Sequence, residues 1–259
     1  MDEVLRDAHN RIIRDLRVSL TDRCNFRCFY CLPNGEPPLA RKETILTFEE
    51  ITEICEIFVG LGIEKIRLTG GEPLLRKDVE KLVEKIAQLK PDLKDLALTT
   101  NGFSLPKRAE NLKKAGLDRI TLSLDSLRRD NFQKITGVDR LADVLEAIEA
   151  AKNAGLNPVR VNAVIVRGWN DDEIVELAKF ARESEISMRF IEYMPLDSAE
   201  KWRCEQVVSG REIFAKINEV FPLRLKEKSR GSETAWKYSF ADNSKGEIGI
   251  IAPVTEMFC

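Results

Sequence analysis

No stretch of this sequence stays apolar for the roughly 20 residues that a bilayer-spanning helix requires. Residues 1–14 alternate charges where a secretory leader would carry its hydrophobic core. Excess charge of either sign is also missing: 41 basic and 43 acidic residues leave a formal net charge of −2. Bulk electrostatics therefore draws the chain neither to nucleic acid nor to an anionic membrane. Histidine is reduced to one residue, His9, and glutamine to Gln88, Gln133 and Gln206. With 32% charged residues, that scarcity leans toward a heat-adapted protein. There is no low-complexity tract. The six cysteines are too unevenly spread for a disulfide framework, and a cytoplasmic location is expected.

What is present is a repeated rhythm. The 259 residues, 43% hydrophobic, suffice for one large α/β domain with an appendage. Strand-like runs rich in Val, Ile, Leu and Thr occur at 15–20, 65–69, 95–99, 119–123, 158–166 and 187–192. Helix-period segments lie between them at 48–61, 79–90, 107–115, 141–154 and 172–184, with stops at Gly60, Gly62, Pro91, Gly116 and Gly155. Thr47 to Glu50 reads as a capping box, and Asp171–Asp172 as a helix start. Six such units favour a parallel sheet with outer helices.

Side-chain parity refines that expectation. Arg17 and Ser19 share one face of the first strand, and Arg67 and Thr69 one face of the second. Thr121, Ser123 and Asp125 align on the fourth, Arg160 and Asn162 on the fifth. A parallel strand covered on both sides should be apolar on both faces, and a complete eight-stranded barrel fills its lumen with branched apolar side chains. A recurrent polar face points to an incomplete, wider barrel around a polar ligand; the competing reading is a water-facing side. After residue 194 the rhythm breaks into a small α+β extension over 195–259, with a helix at 209–220 and strands at 223–228, 236–240 and 247–251.

Cys24-Asn-Phe-Arg-Cys28-Phe-Tyr-Cys31 directly follows the first strand, at the strand end where parallel α/β folds bind ligands. Three thiolates within eight residues can reach one metal centre. A structural zinc site needs a fourth ligand. His9 lies upstream of the strand, and Cys55, inside a helix, reads as a buried small apolar residue. Three cysteines without a fourth suit a cubane cluster with one open iron. Thr69-Gly70-Gly71-Glu72-Pro73 ends the second strand, and its paired glycines let backbone approach a ligand closely.

The Cys-x₃-Cys-x₂-Cys spacing, with Tyr30 before the last cysteine, resembles the signature of the radical S-adenosylmethionine (SAM) superfamily. Together with Leu16 to Cys28, Ile66 to Pro73, Leu98-Thr-Thr-Asn-Gly102, Arg189 to Met194 and the closing Pro253 to Cys259, the order resembles the GTP 3′,8-cyclase family across essentially the whole chain. The resemblance implies an incomplete (βα)₆ partial TIM barrel over 1–194, and a C-terminal extension that begins a second-cluster region. It implies a lyase that forms 3′,8-cyclo-7,8-dihydroguanosine triphosphate for molybdenum cofactor biosynthesis. Cys24, Cys28 and Cys31 would hold the radical-initiating [4Fe–4S] cluster; Tyr30, Gly71, Ser123 and Met194 would contact SAM. Arg17, Arg67, Thr99 and Arg160 would contact GTP, with arginine at 160 where the family leads one to expect lysine. Arginine forks bind phosphate oxygens bidentately, whereas the competing reading pairs these arginines with Asp125 and Glu192.

The implied partners are GTP, an electron donor (a small molecule or a flavodoxin- or ferredoxin-type protein) and a downstream pterin-forming enzyme, with a homodimer suggested by the family. The family also holds a second [4Fe–4S] cluster on three C-terminal cysteines. The sequence reaches Cys259, which matches the first of them; the other two are absent, as in a truncated chain. Two rival functions remain open: a peptide-modifying radical SAM maturase with an auxiliary cluster, and a non-catalytic iron–sulfur protein.

Overall fold

The computed structural model describes residues 4–31, 39–195, 202–227 and 233–256. Two compact units divide the chain. The first comprises 1–25, 38–121 and 143–159; the second comprises 26–37, 122–142 and 160–259.

In the first unit β1 (Asp15–Ser19), β2 (Lys65–Thr69) and β3 (Asp95–Thr100) lie side by side, with β1–β2 and β2–β3 parallel. β4 (Arg119–Ser123) follows β3 and runs out of the first unit into the second. The connections carry α1 (Phe48–Gly60), α2 (Val79–Ala87) and α3 (Ala109–Lys114). Thr47 caps α1 with its hydroxyl on the Glu50 N–H while Glu50 returns to the Thr47 N–H, the box read from sequence. α2 buries Val79, Leu82, Val83 and Ile86, the one-sided stripe its apolar spacing demands.

The second unit continues the strand order from β4 to β5 (Arg160–Ile165), β6 (Ser187–Glu192), β9 (Glu247–Ile251), β8 (Trp236–Phe240) and β7 (Leu223–Leu225). β5–β6 and β6–β9 are parallel, whereas β9–β8 and β8–β7 are antiparallel. Its helices are α4 (Arg129–Thr136), α6 (Ile174–Glu183) and α7 (Gly210–Val220); α5 (Leu141–Asn153) crosses from the second unit to the first. The α6 stripe Ile174, Leu177, Ala178 and Ala181 is wholly buried.

Most strands and helices fall where the apolar rhythm puts them; α2, α3 and β5 are each three residues shorter than expected, and three further differences have a physical reason. α4 was not expected, because its interior face is only Phe132, Ile135 and Thr136 in an otherwise polar segment. α6 starts at Ile174 rather than at Asp172, since Asp171 accepts the Gly168 N–H and the carboxylate before the helix is the buried Glu173. β7 is three residues long, and position 228 of the expected strand lies outside the described residues.

Candidate functional site

β1 and β2 bring the first set of residues together. Their register places Arg17 opposite Arg67 and Ser19 opposite Thr69. Neighbouring strands lie about 4.8 Å apart, so the two arginines are adjacent on one face. Like charges in such a position repel unless an anion or an acid joins them. Thr99, on β3, is partly buried.

Beyond Ser19 the chain enters the cysteine loop, and beyond Thr69 it enters the paired glycines. These two turns are joined backbone to backbone: Gly71 N–H donates to Thr21 O (2.6 Å) and Glu72 N–H to Arg23 O (2.7 Å). A Cβ at Gly70 would collide with the Thr21 carbonyl, and one at Gly71 with the Arg23 carbonyl. Gly70 also has φ +132°, a conformation closed to most L residues. The glycines are therefore required by the approach of the cysteine loop itself.

Glu72, 1% exposed, organises the next layer. Its carboxylate accepts from Leu74 N–H (2.9 Å), the Thr100 hydroxyl (2.7 Å) and Asn101 N–H (2.7 Å). Burial raises its pKa, opposed by these donors. The Asn101 amide in turn donates to Asn25 Oδ1 (2.8 Å) and approaches Cys24 Sγ at 4.0 Å. A carboxylate from the glycine turn thus reaches the first cysteine through one asparagine. Sequence reasoning quoted both motifs but assigned neither Glu72 nor Asn101 a role.

The rest of the loop belongs to the second unit. Arg27 N–H donates to Thr136 O (2.8 Å), Phe29 N–H to Ile135 O (3.0 Å) and Cys31 N–H to Cys28 O (3.0 Å). The Phe29 ring stacks on Trp169 with centroids 4.0 Å apart and planes 17° from parallel. Tyr30 donates its hydroxyl to Asp125 Oδ2 at 2.7 Å. Desolvation of its buried site pushes Asp125 up to about 6; burial, the adjacent carboxylate and the Cys28 and Cys31 thiols push the Tyr30 phenol up.

Ser123 ends β4 partly buried, and Met194 follows β6, also partly buried. On the second unit's polar face, register sets Arg160 beside Ser187, and Asn162 beside Arg189, which in turn faces Gly249. A Cβ at Gly249 would press on the Arg189 side chain, so glycine there makes room for it. Arg189, 8% exposed, was quoted only as part of a motif, although its parity with Asn162 across the register marks it as a member of this face.

The two acids weighed as arginine partners also accept hydrogen bonds from other groups. Asp125 binds Tyr30 and the Val164 N–H (2.8 Å). Glu192, fully buried, accepts from the backbone N–H of Gly210 (2.7 Å), Val254 (2.8 Å) and Thr255 (2.9 Å) and from the Thr255 hydroxyl. Each sits at the end of a strand, where converging backbone donors need an acceptor. Cys55 is buried, as expected, with its thiol pushed up to about 11. Cys259 lies outside the described residues.

Cys24, Cys28 and Cys31 stand outside any disulfide, and thiolates are the ligands an iron–sulfur cluster takes. In donor type, three cysteine thiolates suit such a cluster. Among the described residues, no three His, Cys, Asp or Glu side chains stand in an arrangement that could hold a metal ion. No helix among them is long and apolar enough to cross a membrane.

Comparison with known proteins bears on the class to which the chain is similar. The Radical SAM superfamily model matches residues 18–181, and the Molybdenum Cofactor Synthesis C model matches 186–259. SuiB of Streptococcus suis bound to S-adenosylmethionine aligns with 79% of this chain and 46% of its own, at 20% identity and a TM-score of 0.65. Methylornithine synthase aligns with 83% of this chain and 64% of its own, at 22% identity and a TM-score of 0.63. Those likenesses establish the fold: an α/β radical SAM partial barrel with a small α+β extension.

Fold and cysteine loop together define a radical SAM enzyme. Within that class, the GTP 3′,8-cyclase of Acidothermus cellulolyticus is 46% identical over 100% of this chain and 72% of its own length. That of Aquifex aeolicus is 44% identical over 99% of this chain and 79% of its own. The chain belongs to the GTP 3′,8-cyclase family, radical SAM lyases.

Proposed function

We infer that this chain converts GTP to 3′,8-cyclo-7,8-dihydroguanosine triphosphate, in the branch that leads to the molybdenum cofactor, in the cytoplasm. The observation that carries the reading is the in-register pair Arg17 and Arg67, on the two strands whose ends bear the cysteine loop and the glycine turn. A triphosphate carries negative charge that two adjacent guanidiniums can bind, and arginine forks match its oxygens.

Cys24, Cys28 and Cys31 would hold a [4Fe–4S] cluster, which with SAM supplies the 5′-deoxyadenosyl radical that takes hydrogen from the ribose C3′. Every other task falls to the chain. Tyr30, Gly71, Ser123 and Met194 are assigned to SAM, and Arg17, Arg67, Thr99 and Arg160 to the nucleotide. Arg17 and Arg67 hold the phosphates, so that C3′ and C8 of the same nucleotide stay in reach of each other. The barrel belongs to 1–194 and the extension to 195–259. An electron donor is required; a flavodoxin- or ferredoxin-type protein suits a site that receives single electrons. A second cluster begins at Cys259 in this reading.

The test compares GTP binding to the parent and to Arg17→Ala by calorimetry. Removing one charged hydrogen-bonding partner should weaken binding by about tenfold or more. Equal affinity in the two proteins would remove Arg17 from the nucleotide site and favour a peptide-modifying reading.

A further inference from the structure

We propose that Asp125 is a positioning residue for the iron–sulfur loop, acting through the hydroxyl of Tyr30. The proposal rests on Cys28 and Cys31 as cluster ligands and is independent of GTP as the substrate.

Tyr30 lies between those two cysteines. Its hydroxyl donates to Asp125 Oδ2 at 2.7 Å, while Asp125 Oδ1 accepts the Val164 N–H of β5 at 2.8 Å. The carboxylate itself is 2% exposed and held in a rigid frame. Asn170, fully buried, donates through one amide nitrogen to Asp125 O (2.7 Å) and to Val164 O (2.9 Å), and accepts the Val166 N–H at 2.8 Å. The phenol therefore has one fixed partner.

The remaining anchors of this half-loop are of a different kind. Arg27 and Phe29 use backbone N–H groups, and Phe29 uses a ring face on Trp169. They act on the loop before Tyr30, on either side of Cys28. The Tyr30–Asp125 bond fixes the side chain of the residue that immediately precedes Cys31, whose backbone N–H donates to Cys28 O. Since the hydroxyl proton is committed to Asp125, Tyr30 has no O–H left to donate to a bound cofactor. The influence of Asp125 on the loop passes through Tyr30. Outer partners of this kind set metal affinity because they hold the ligand in place before the metal arrives.

The experiment is a double-mutant cycle on the reconstituted chain with Tyr30→Phe, Asp125→Asn and the pair, read as the rate at which a chelator strips iron under anaerobic conditions. Thermal melting of the metal-free proteins reports folding separately. Each single variant should lose iron about tenfold faster than the parent. The double variant should be no faster than either single one, because both remove the same bond. The reduced cluster's electron paramagnetic resonance signal should broaden in both single variants. Unchanged loss rates, or additive ones, would overturn the proposal. If Asp125→Asn does not fold, Tyr30→Phe alone decides, and its retention of iron at the parental rate overturns the proposal. No step uses GTP, so absent GTP turnover contradicts the function above without touching this result.

Discussion

Glycine at positions 70 and 71 is dictated by two carbonyls, those of Thr21 and Arg23, that occupy the space a side chain would need. Gly71→Ala should therefore pry the glycine turn from the cysteine loop. Iron per chain after reconstitution should fall well below the parent, whereas an exposed change such as Lys114→Ala should leave it unaltered. Asn101 makes a subtler case, for its amide approaches Cys24 Sγ at 4.0 Å. Hydrogen bonds to cluster sulfurs favour the reduced form by offsetting its added negative charge. Asn101→Ala should thus move the cluster's midpoint potential in the negative direction, measured by redox titration; a positive shift would contradict that role. At this scale the ligands were legible and their supports were not. Tyr30 and Asp125 are 95 residues apart, and Asn101 and Cys24 are 77. No local pattern encodes such pairs; only the strand order brings them together.

The elements themselves were readable because burial acts on a period. β5 alternates partly buried and buried residues, and α6 buries positions 174, 177, 178 and 181, the spacings that alternation and a helical turn require. α4 escaped because two apolar residues and a threonine make a short stripe, although Gly137 at φ +74° marks its end. Parity places Arg17 and Arg67 each on the polar face of its own strand, and register makes them direct neighbours. What parity could not supply was the role of Glu192, whose four donors come from the start of α7 and the turn after β9. Glu192→Ala leaves the buried Gly210 N–H without an acceptor and frees the more exposed N–H groups of Val254 and Thr255 to water, so it should cost about 1–3 kcal/mol. Chemical denaturation would show this as a lower midpoint at unchanged slope.

For the whole molecule, acid stability has a traceable contributor. Asp242 is held down to about 2 by the Ser244 donors and the Arg182 guanidinium, against an ordinary value of 3.8. A carboxylate whose folded-state pKa is depressed binds fewer protons folded than unfolded, so its contribution is present above about pH 4 and fades as pH falls toward 2. Asp242→Asn should flatten the melting temperature's dependence on pH in that window and leave its slope near neutrality unchanged. The central claim, that the cysteine loop and the paired arginines serve one radical reaction on GTP, is tested most directly by product stoichiometry. The reconstituted, reduced chain should form 5′-deoxyadenosine in step with GTP loss when both SAM and GTP are present. SAM cleavage at the same rate with and without GTP would contradict it.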